Sequence, residues 1–182
     1  MRLQDLRQYG VLTAPPPPAK KSGNRLQDLL DGDVVDVPGG ECFYREASFP
    51  LDTVHGMHPL LLVSRLSGHR MGMVSKDVEL SYADLSRAVF LDTETTGLGM
   101  GAGTYVFLIG AGFLDGDYFR VRQYFLSGPG HELSLLTELG MFLSRFPAIV
   151  TFNGKAFDWP LIESRYLRHR RTLPLNDPHI WI

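Results

Sequence analysis

In Ala88-Val-Phe-Leu-Asp-Thr-Glu-Thr-Thr-Gly-Leu98 an apolar run ends in two carboxylates and a glycine. This pattern predicts a buried strand that carries acids to its end. Successive side chains of a strand point to opposite faces, so we expect Asp92 and Glu94 on one face, where they can share a cation. Mg²⁺ and Mn²⁺ prefer such oxygen ligands. The alternative is an ordinary solvated strand end, in which the acids have no ligand.

The composition is that of a folded protein of ordinary size, with 182 residues, of which 44% are hydrophobic and 11% aromatic. These values exclude a disordered or fibrous chain. The formal net charge of −2 gives no overall attraction for polyanions, so nucleic-acid binding would depend on local basic patches or on metal ions. The single cysteine, Cys42, excludes an intrachain disulfide. The sequence shows neither a signal-peptide core nor an apolar run long enough to span a membrane, which predicts a cytoplasmic protein without membrane contact.

The first 24 residues are expected to form a short helix and a proline-rich linker. Arg2-Leu-Gln-Asp-Leu6 recurs as Arg25-Leu-Gln-Asp-Leu29, and a run of four prolines begins at Pro15 between the two copies. Consecutive prolines favour extended polyproline II and cannot lie inside a helix, which places a linker at about residues 13–24. We expect this N-terminal segment to bind a partner chain or to mediate self-association.

Residues 25–86 are expected to form a small β-rich extension. Val34-Val-Asp-Val37, the turn Pro38-Gly-Gly40 and Glu41-Cys-Phe-Tyr44 together predict a hairpin. Several histidines follow between residues 55 and 69. They have no neighbouring cysteines and no helical His-Glu-x-x-His pattern, so they do not indicate a zinc site.

A glycine run, Gly97-Leu-Gly-Met-Gly-Ala-Gly103, follows the acids and nearly fits a dinucleotide-binding fingerprint. That fingerprint has to open a helix, whereas the apolar run at residues 105–113 predicts another strand. We therefore expect a flexible loop beside the acids. Asp115-Gly116 predicts a two-residue hairpin turn before a strand at residues 118–126, so that three antiparallel strands result.

The rest of the chain alternates helix and strand. Apolar residues between 135 and 146 recur at helical spacing, and Pro147 ends the predicted helix. A short strand at residues 148–152 then indicates a parallel crossover beside the first strand. A second helix is expected to start at about Asp158, because Pro160 is tolerated in a first helical turn. The residues of this helix that we expect to face inward are Ile162, Tyr166 and Leu167. A last strand is expected to begin at about Ile180.

Two motifs together resemble a known family. Asp92-Thr-Glu-Thr-Thr-Gly-Leu98 followed by Asn153-Gly-Lys-Ala-Phe-Asp-Trp-Pro160 is similar to the first two motifs of the DEDD (DnaQ-like) 3′→5′ exonucleases, which have the ribonuclease H-like fold. Within that superfamily the glycine-rich loop and the Asn-Gly-Lys-x-Phe-Asp-x-Pro form resemble the YprB-like group. The resemblance implies an α/β ribonuclease H-like domain over residues 87–182. Its mixed sheet would combine a three-stranded antiparallel meander with parallel strands and flanking helices.

The resemblance also implies the site residues. Asp92, Glu94 and Asp158 would be catalytic residues and the ligands of a two-metal Mg²⁺ or Mn²⁺ site. The residues that would contact the terminal nucleotide are Thr95, Gly97 and Leu98. The residues that would orient the substrate or face a phosphate are Asn153 and Lys155. Beyond the family motifs, we expect nucleic acid to contact the loop at Gly99–Gly103 and the basic residues at the end of the last helix, namely Arg165, Arg168, Arg170 and Arg171.

The resemblance is incomplete in one respect. The family carries a fourth acid in a later helix, preceded by a His or Tyr, and residues 159–182 contain no such motif. We therefore expect a weakly bound second metal ion, and cleavage that is slow or absent. The leading hypothesis is a metal-dependent 3′→5′ exonuclease acting on single-stranded DNA or RNA ends. The alternative is a non-catalytic nucleic-acid-binding or regulatory module with the same fold, and an endonuclease that resembles ribonuclease H ranks last.

Overall fold

The computed structural model describes residues 26–75, 78–82, 84–97, 103–152, 154, 156–173 and 179–181. The predicted N-terminal helix and the proline-rich linker lie outside these residues. The same is true of three predicted site residues, Leu98, Asn153 and Lys155.

Nine strands and five α-helices are described, together with short 3-10 turns. The strands are β1 (Asp33–Val37), β2 (Gly40–Pro50), β3 (Val54–His55), β4 (His58–Pro59), β5 (Ala88–Thr95), β6 (Val106–Asp115), β7 (Tyr118–Phe125), β8 (Ala148–Thr151) and β9 (His179–Trp181). The helices are α1 (Leu26–Leu29), α2 (Leu61–Ser64), α3 (Gly68–Ser75), α4 (Glu132–Leu143) and α5 (Asp158–Arg168). The 3-10 turns are Glu79–Tyr82, Leu85–Arg87 and Pro129–His131.

Seven of these strands form one mixed sheet in the order β1-β2-β7-β6-β5-β8-β9. The neighbouring pairs β1-β2, β2-β7, β7-β6 and β6-β5 are antiparallel. The pairs β5-β8 and β8-β9 are parallel. The chain passes from β7 through α4 to β8, so α4 is part of the connection that returns it to lie beside β5. The predicted α/β fold class, the antiparallel meander, the parallel crossover and the last strand are confirmed.

The predicted hairpin near the start of the described chain is also confirmed. β1 pairs with β2, and β2 continues beyond the hairpin to pair with β7 along eight residues. Strands from both sides of residue 86 therefore belong to one sheet. The division of the chain into segments at residues 24 and 86 stays a prediction.

The turn between β6 and β7 differs by one residue from the prediction. The two residues between the strands are Gly116 and Asp117, while Asp115 is still the last residue of β6 and pairs with Tyr118. Gly116 has a φ of 58°, a backbone conformation that glycine adopts without steric cost. A glycine with positive φ at the first central position is typical of a two-residue hairpin loop, and this explains the shift.

The main core lies between the sheet and the pair α4 and α5. Apolar side chains of β5, β6 and β8 pack there against both helices, for example Leu91, Ile109, Leu139 and Ile162. The prediction that Leu167 faces inward is wrong, because this residue is 69% exposed. The buried residues of α5 are Asp158, Trp159, Leu161, Ile162, Arg165 and Tyr166. The Tyr166 hydroxyl donates a hydrogen bond to the Leu136 carbonyl of α4, which fixes the rotation of α5.

The opposite face of the sheet carries a smaller apolar cluster. Leu85, Ala88, Ala148 and Val150 form this second cluster, with Phe90 packed against it. Neither α4 nor α5 contributes a residue to the cluster. The carboxyl end of β5 therefore presents its side chains to solvent on this face. Among the helices that the structure describes, none is long and apolar enough to cross a membrane.

Candidate active site

Asp92 and Glu94 lie at the carboxyl end of β5, between β6 and β8. Both side chains are exposed, whereas Thr93 between them is half-buried. In the antiparallel ladder Asp92 pairs with Gly110 and Glu94 with Leu108, so both acids project from the face without α4 and α5. The strand thus presents two adjacent carboxylates to solvent near the middle of the sheet.

Asp158 reaches the same strand from the other side. It is the first residue of α5, and only 6% of it is exposed. Its Oδ1 accepts a hydrogen bond from the Thr93 hydroxyl. Because side chains alternate along a strand, Thr93 projects from the face opposite to that of Asp92 and Glu94. The three predicted ligands therefore surround the end of one strand, with two on one face and one on the other.

Their donor chemistry fits a hard divalent cation, since all three would offer carboxylate oxygens. Among the described residues, which include all three acids, no group of three or more His, Cys, Asp or Glu side chains is close enough to hold a metal ion. The structure brings Asp158 to Thr93, and a common coordination shell for the three carboxylates stays a prediction.

A cavity of about 290 Å³ lies beside Asp92, between the ends of β5 and β8. The lining residues are Phe90, Leu91, Asp92, Val150, Thr151 and Phe152. Phe152 is 87% exposed. The parallel pairing of Leu91 with Thr151, continued by one residue, places Phe152 next to Asp92. The exposed Phe152 beside Asp92 was not predicted. The sequence did indicate it, because the predicted parallel strands end near Asp92 and at Phe152.

The turn between β8 and α5 depends on a close backbone approach. A Cβ atom added to Gly154 would lie 2.1 Å from the Thr151 Oγ1 atom, so a larger residue does not fit here without a shift. The Gly154 carbonyl accepts a hydrogen bond from the Trp159 backbone N–H at 2.9 Å. These contacts determine where α5 begins, and they place Asp158 in its first turn.

The other predicted substrate contacts are described in part. The Thr95 hydroxyl donates to the Gly97 carbonyl at 2.8 Å, which stabilises the first turn after β5. Gly97 is exposed, and the glycine loop continues into residues 98–102, which are not among the described residues. The roles predicted for Thr95 and Gly97 stay predictions.

The prediction that Arg165 contacts nucleic acid is wrong. Its side chain is only 3% exposed and forms an ion pair with Glu132 of α4, with Nε and Oε1 2.5 Å apart. The physical reason is the helical period, since Arg165 follows Leu161 by four residues and so lies on the inward stripe of α5. Arg168, Arg170 and Arg171 are exposed.

The sequence comparisons agree with the fold. A model of the RNase_H superfamily matches residues 89–182, which is about half of the chain and includes β5, α4, β8 and α5. The chain belongs to the RNase H superfamily. Members of this superfamily are generally nucleases, their fold implies nucleic-acid binding, and they usually use divalent metal ions.

The chain is also 36% identical over 136 residues to a protein of Bacillus subtilis (strain 168) named Uncharacterized protein YprB. The alignment covers 73% of this chain and 32% of that protein, so the chain spans about a third of the length of the relative it matches. The likeness to YprB that the motifs indicate is therefore confirmed. Membership of the DEDD exonuclease group goes beyond these findings.

Proposed function

We propose that the chain is a metal-dependent 3′→5′ exonuclease that acts on single-stranded DNA or RNA ends. The observation that carries the proposal is the pair of exposed carboxylates, Asp92 and Glu94, side by side at the end of β5, an interior strand of the sheet in a superfamily member. The 3′→5′ direction depends on the resemblance of the two sequence motifs to those of the DEDD exonucleases.

In this proposal the carboxylates of Asp92, Glu94 and Asp158 would converge when they bind the ion, which is Mg²⁺ or Mn²⁺. Asp92 and Glu94 would offer oxygen ligands from a strand paired on both sides. Thr93 restrains Asp158 through one carboxylate oxygen, and the other oxygen keeps its capacity to accept. When bound, a divalent ion supplies a Lewis acid for phosphodiester hydrolysis.

The surroundings of the acids support a single-stranded substrate. Phe152 exposes its ring beside Asp92, and an exposed aromatic ring provides a stacking surface for an unpaired base. We further propose that Thr95, Gly97 and Leu98 contact the terminal nucleotide. In the same proposal Asn153 and Lys155 contact the substrate, and the assignment of these residues rests on the resemblance of the motifs.

The test is a nuclease assay with the purified chain, Mn²⁺ and single-stranded oligonucleotides labelled at the 5′ or the 3′ end. We expect a ladder of 5′-labelled products that shortens from the 3′ end. Replacing Asp92→Asn should lower the rate on the order of 10²–10³-fold, since one stabilising group at the reacting phosphate is weakened. Asp36→Asn is the matched control, because Asp36 is an exposed carboxylate on β1 at the far edge of the sheet.

Other outcomes would contradict the proposal in distinct ways. Tight binding of the oligonucleotide without cleavage would favour the non-catalytic module. Internal cuts in both labelled strands would favour an endonuclease. Equal rates for the parent, Asp92→Asn and Asp36→Asn would assign the cleavage to a contaminating nuclease.

A further inference from the structure

A buried arginine lies two helical turns after Asp158. Arg165 is seven residues further along α5, so it returns to nearly the same helix face about 10.5 Å along the axis. Its side chain is 3% exposed. Because α5 carries both residues, whatever holds Arg165 also restrains the direction in which Asp158 leaves the helix.

The first partner of Arg165 is Glu132, the first residue of α4, which is 5% exposed at its side chain. The guanidinium Nε and Nη2 donate to the two carboxylate oxygens at 2.5 and 2.8 Å. His169 Nε2 lies 2.8 Å from the same carboxylate. Burial raises the pKa of Glu132, but the hydrogen bonds from Arg165 and His169 outweigh burial, and the pKa is lowered overall. The ion pair is therefore intact at neutral pH.

The second partner is the base of the glycine loop. Arg165 Nη1 donates to the Thr104 carbonyl at 3.1 Å, and the guanidinium carbon lies 4.4 Å from the centre of the Tyr105 ring. Tyr105 in turn exchanges two hydrogen bonds with Thr96, one to the hydroxyl and one between backbone groups, both 3.0 Å long. Thr96 follows Glu94 by two residues. One side chain thus connects α4, α5 and the two ends of the loop beside the acids.

We propose that Arg165 is a positioning residue that holds the base of this loop against α5 and so fixes Glu94 relative to Asp158. The proposal rests on the proposed function, in which the two carboxylates share an ion. A buried ion pair is in itself weak evidence for a role in stability, because well-packed apolar residues often replace one without loss. An apolar replacement of Arg165 would, however, lack the contacts with Thr104 and Tyr105.

Arg122 provides a matched control within the same chain. It is also largely buried, with 15% of the side chain exposed, and it donates to Glu46 at 2.7 and 2.8 Å. It also lies over two aromatic rings, Tyr44 at 4.3 Å and Phe142 at 4.6 Å. These contacts, with those to Tyr124 and Glu138, are made to β2, β7 and α4 and not to the glycine loop. Arg122→Lys therefore tests the loss of a comparable buried arginine away from the site.

The experiment compares the parent with Arg165→Lys and Arg122→Lys. Lysine keeps the charge but cannot reproduce the planar fork that reaches Glu132 and Thr104 together. Backbone hydrogen exchange is measured without metal or nucleic acid, and Mn²⁺ affinity is measured by calorimetry. In Arg165→Lys we expect faster exchange at Thr96 and Tyr105 and an Mn²⁺ affinity lower by about 10–100-fold, as for residues that orient metal ligands. Arg122→Lys should change neither.

Equal effects of the two variants, or an unchanged exchange at Thr96 and Tyr105 in Arg165→Lys, would overturn the positioning role. If Arg165→Lys does not fold, Thr96→Val replaces it, because this exposed residue loses only the hydroxyl that accepts from Tyr105. Faster loop exchange in a protein whose parent form binds no Mn²⁺ would support the contact of Arg165 with the loop and overturn the proposed metal site. The two failures are therefore distinguishable.

Discussion

The two halves of the sheet differ in whether their polar side chains pair with other protein groups or lie in solvent. In the antiparallel half, β2, β6 and β7 contain 11, 10 and 8 residues, and α4 packs on them with edge-to-face ring contacts of Phe142 to Phe113 and Tyr124. In the parallel half, β8 and β9 contain only 4 and 3 residues. β5 joins the two halves, and its carboxyl end leaves Asp92 and Glu94 in solvent.

This difference indicates that one region of the sheet contributes mainly to stability and the other mainly to the chemistry of the site. In the antiparallel half polar groups bind one another, since Glu46 on β2 pairs with Arg120 and Arg122 on β7. At the ends of β5, β8 and α5, by contrast, carboxylates, an aromatic ring and arginines lie exposed. We therefore expect substitutions in the first half to change the free energy of unfolding and those in the second to change ligand binding.

The largest expected effect is that of Phe142→Ala. Phe142 is 2% exposed and contacts rings on β6 and β7, so its removal leaves a cavity under α4. The free energy of unfolding should fall by about 3–5 kcal/mol, measured by urea denaturation. The Mn²⁺ affinity of the protein that remains folded should not change.

Met141→Ala is the control for this variant. Met141 is the preceding residue of α4 and is 53% exposed, so its truncation should change stability by no more than about 0.5 kcal/mol. If Phe142→Ala weakened Mn²⁺ binding as strongly as it weakened the fold, the two halves would be coupled and the comparison would be wrong.

A smaller effect is expected for Glu46→Gln. Burial raises the pKa of Glu46, but hydrogen bonds from Arg120 and Arg122 outweigh it and lower the pKa below the ordinary value of 4.5. A carboxylate with a lowered pKa stabilises the fold above its unfolded pKa and loses this contribution as the pH falls through the folded pKa. Glu46→Gln should therefore cost about 1–3 kcal/mol at neutral pH, because hydrogen bonds to a charged group are lost.

The pH dependence is the specific test of this ion pair. Urea denaturation of both proteins from neutral pH downwards should show a difference that is constant at first and shrinks below about pH 4.5. A difference that stays constant down to about pH 3 would assign the loss to packing of the side chain instead of its charge.

Much of the fold could be predicted, because strands and helices bury residues at fixed periods. The alternation along β5 placed both acids on one face, and the 3.6-residue period predicted α4 and most of α5. The error at Leu167 shows the limit of this method. Period alone leaves the edge of an inward stripe open, and the Tyr166 hydrogen bond to Leu136 of α4 determines the rotation of the helix.

The contacts around the acids could not be predicted to the same extent. The pairing of Arg165 with Glu132 joins residues 33 positions apart on two helices, and no local pattern identifies such a partner. The sequence did contain half of the signal, since Arg165 lies four residues after Leu161 and seven after Asp158. The hydrogen bond from Thr93 to Asp158 likewise depends on where the turn at Gly154 directs α5.

The smallest expected effect is at Arg170, a single residue at which we expect a substitution to change both stability and ligand binding. Arg170 has a φ of 54°, in the left-handed region that side chains other than glycine rarely adopt. Its N–H donates to the Leu167 carbonyl and that of Arg171 to the Tyr166 carbonyl, both at 2.9 Å. Helices commonly end with this pair of hydrogen bonds, and the residue in the left-handed conformation is then usually glycine.

Replacing Arg170→Gly should therefore raise stability by about 1 kcal/mol and the melting temperature by about 2–4 °C. If the exposed arginines bind phosphates, losing one cation should also lower the slope of log affinity against log salt by about 0.7 for a single strand. Thermal melts and fluorescence anisotropy with a labelled oligonucleotide measure the two effects. Arg170→Lys keeps both the charge and the strain, so it should change neither. If Arg170→Gly stabilises the fold and weakens binding, the strained residue serves nucleic-acid binding and not folding. An unchanged salt slope would show that this end of α5 is not part of the nucleic-acid surface.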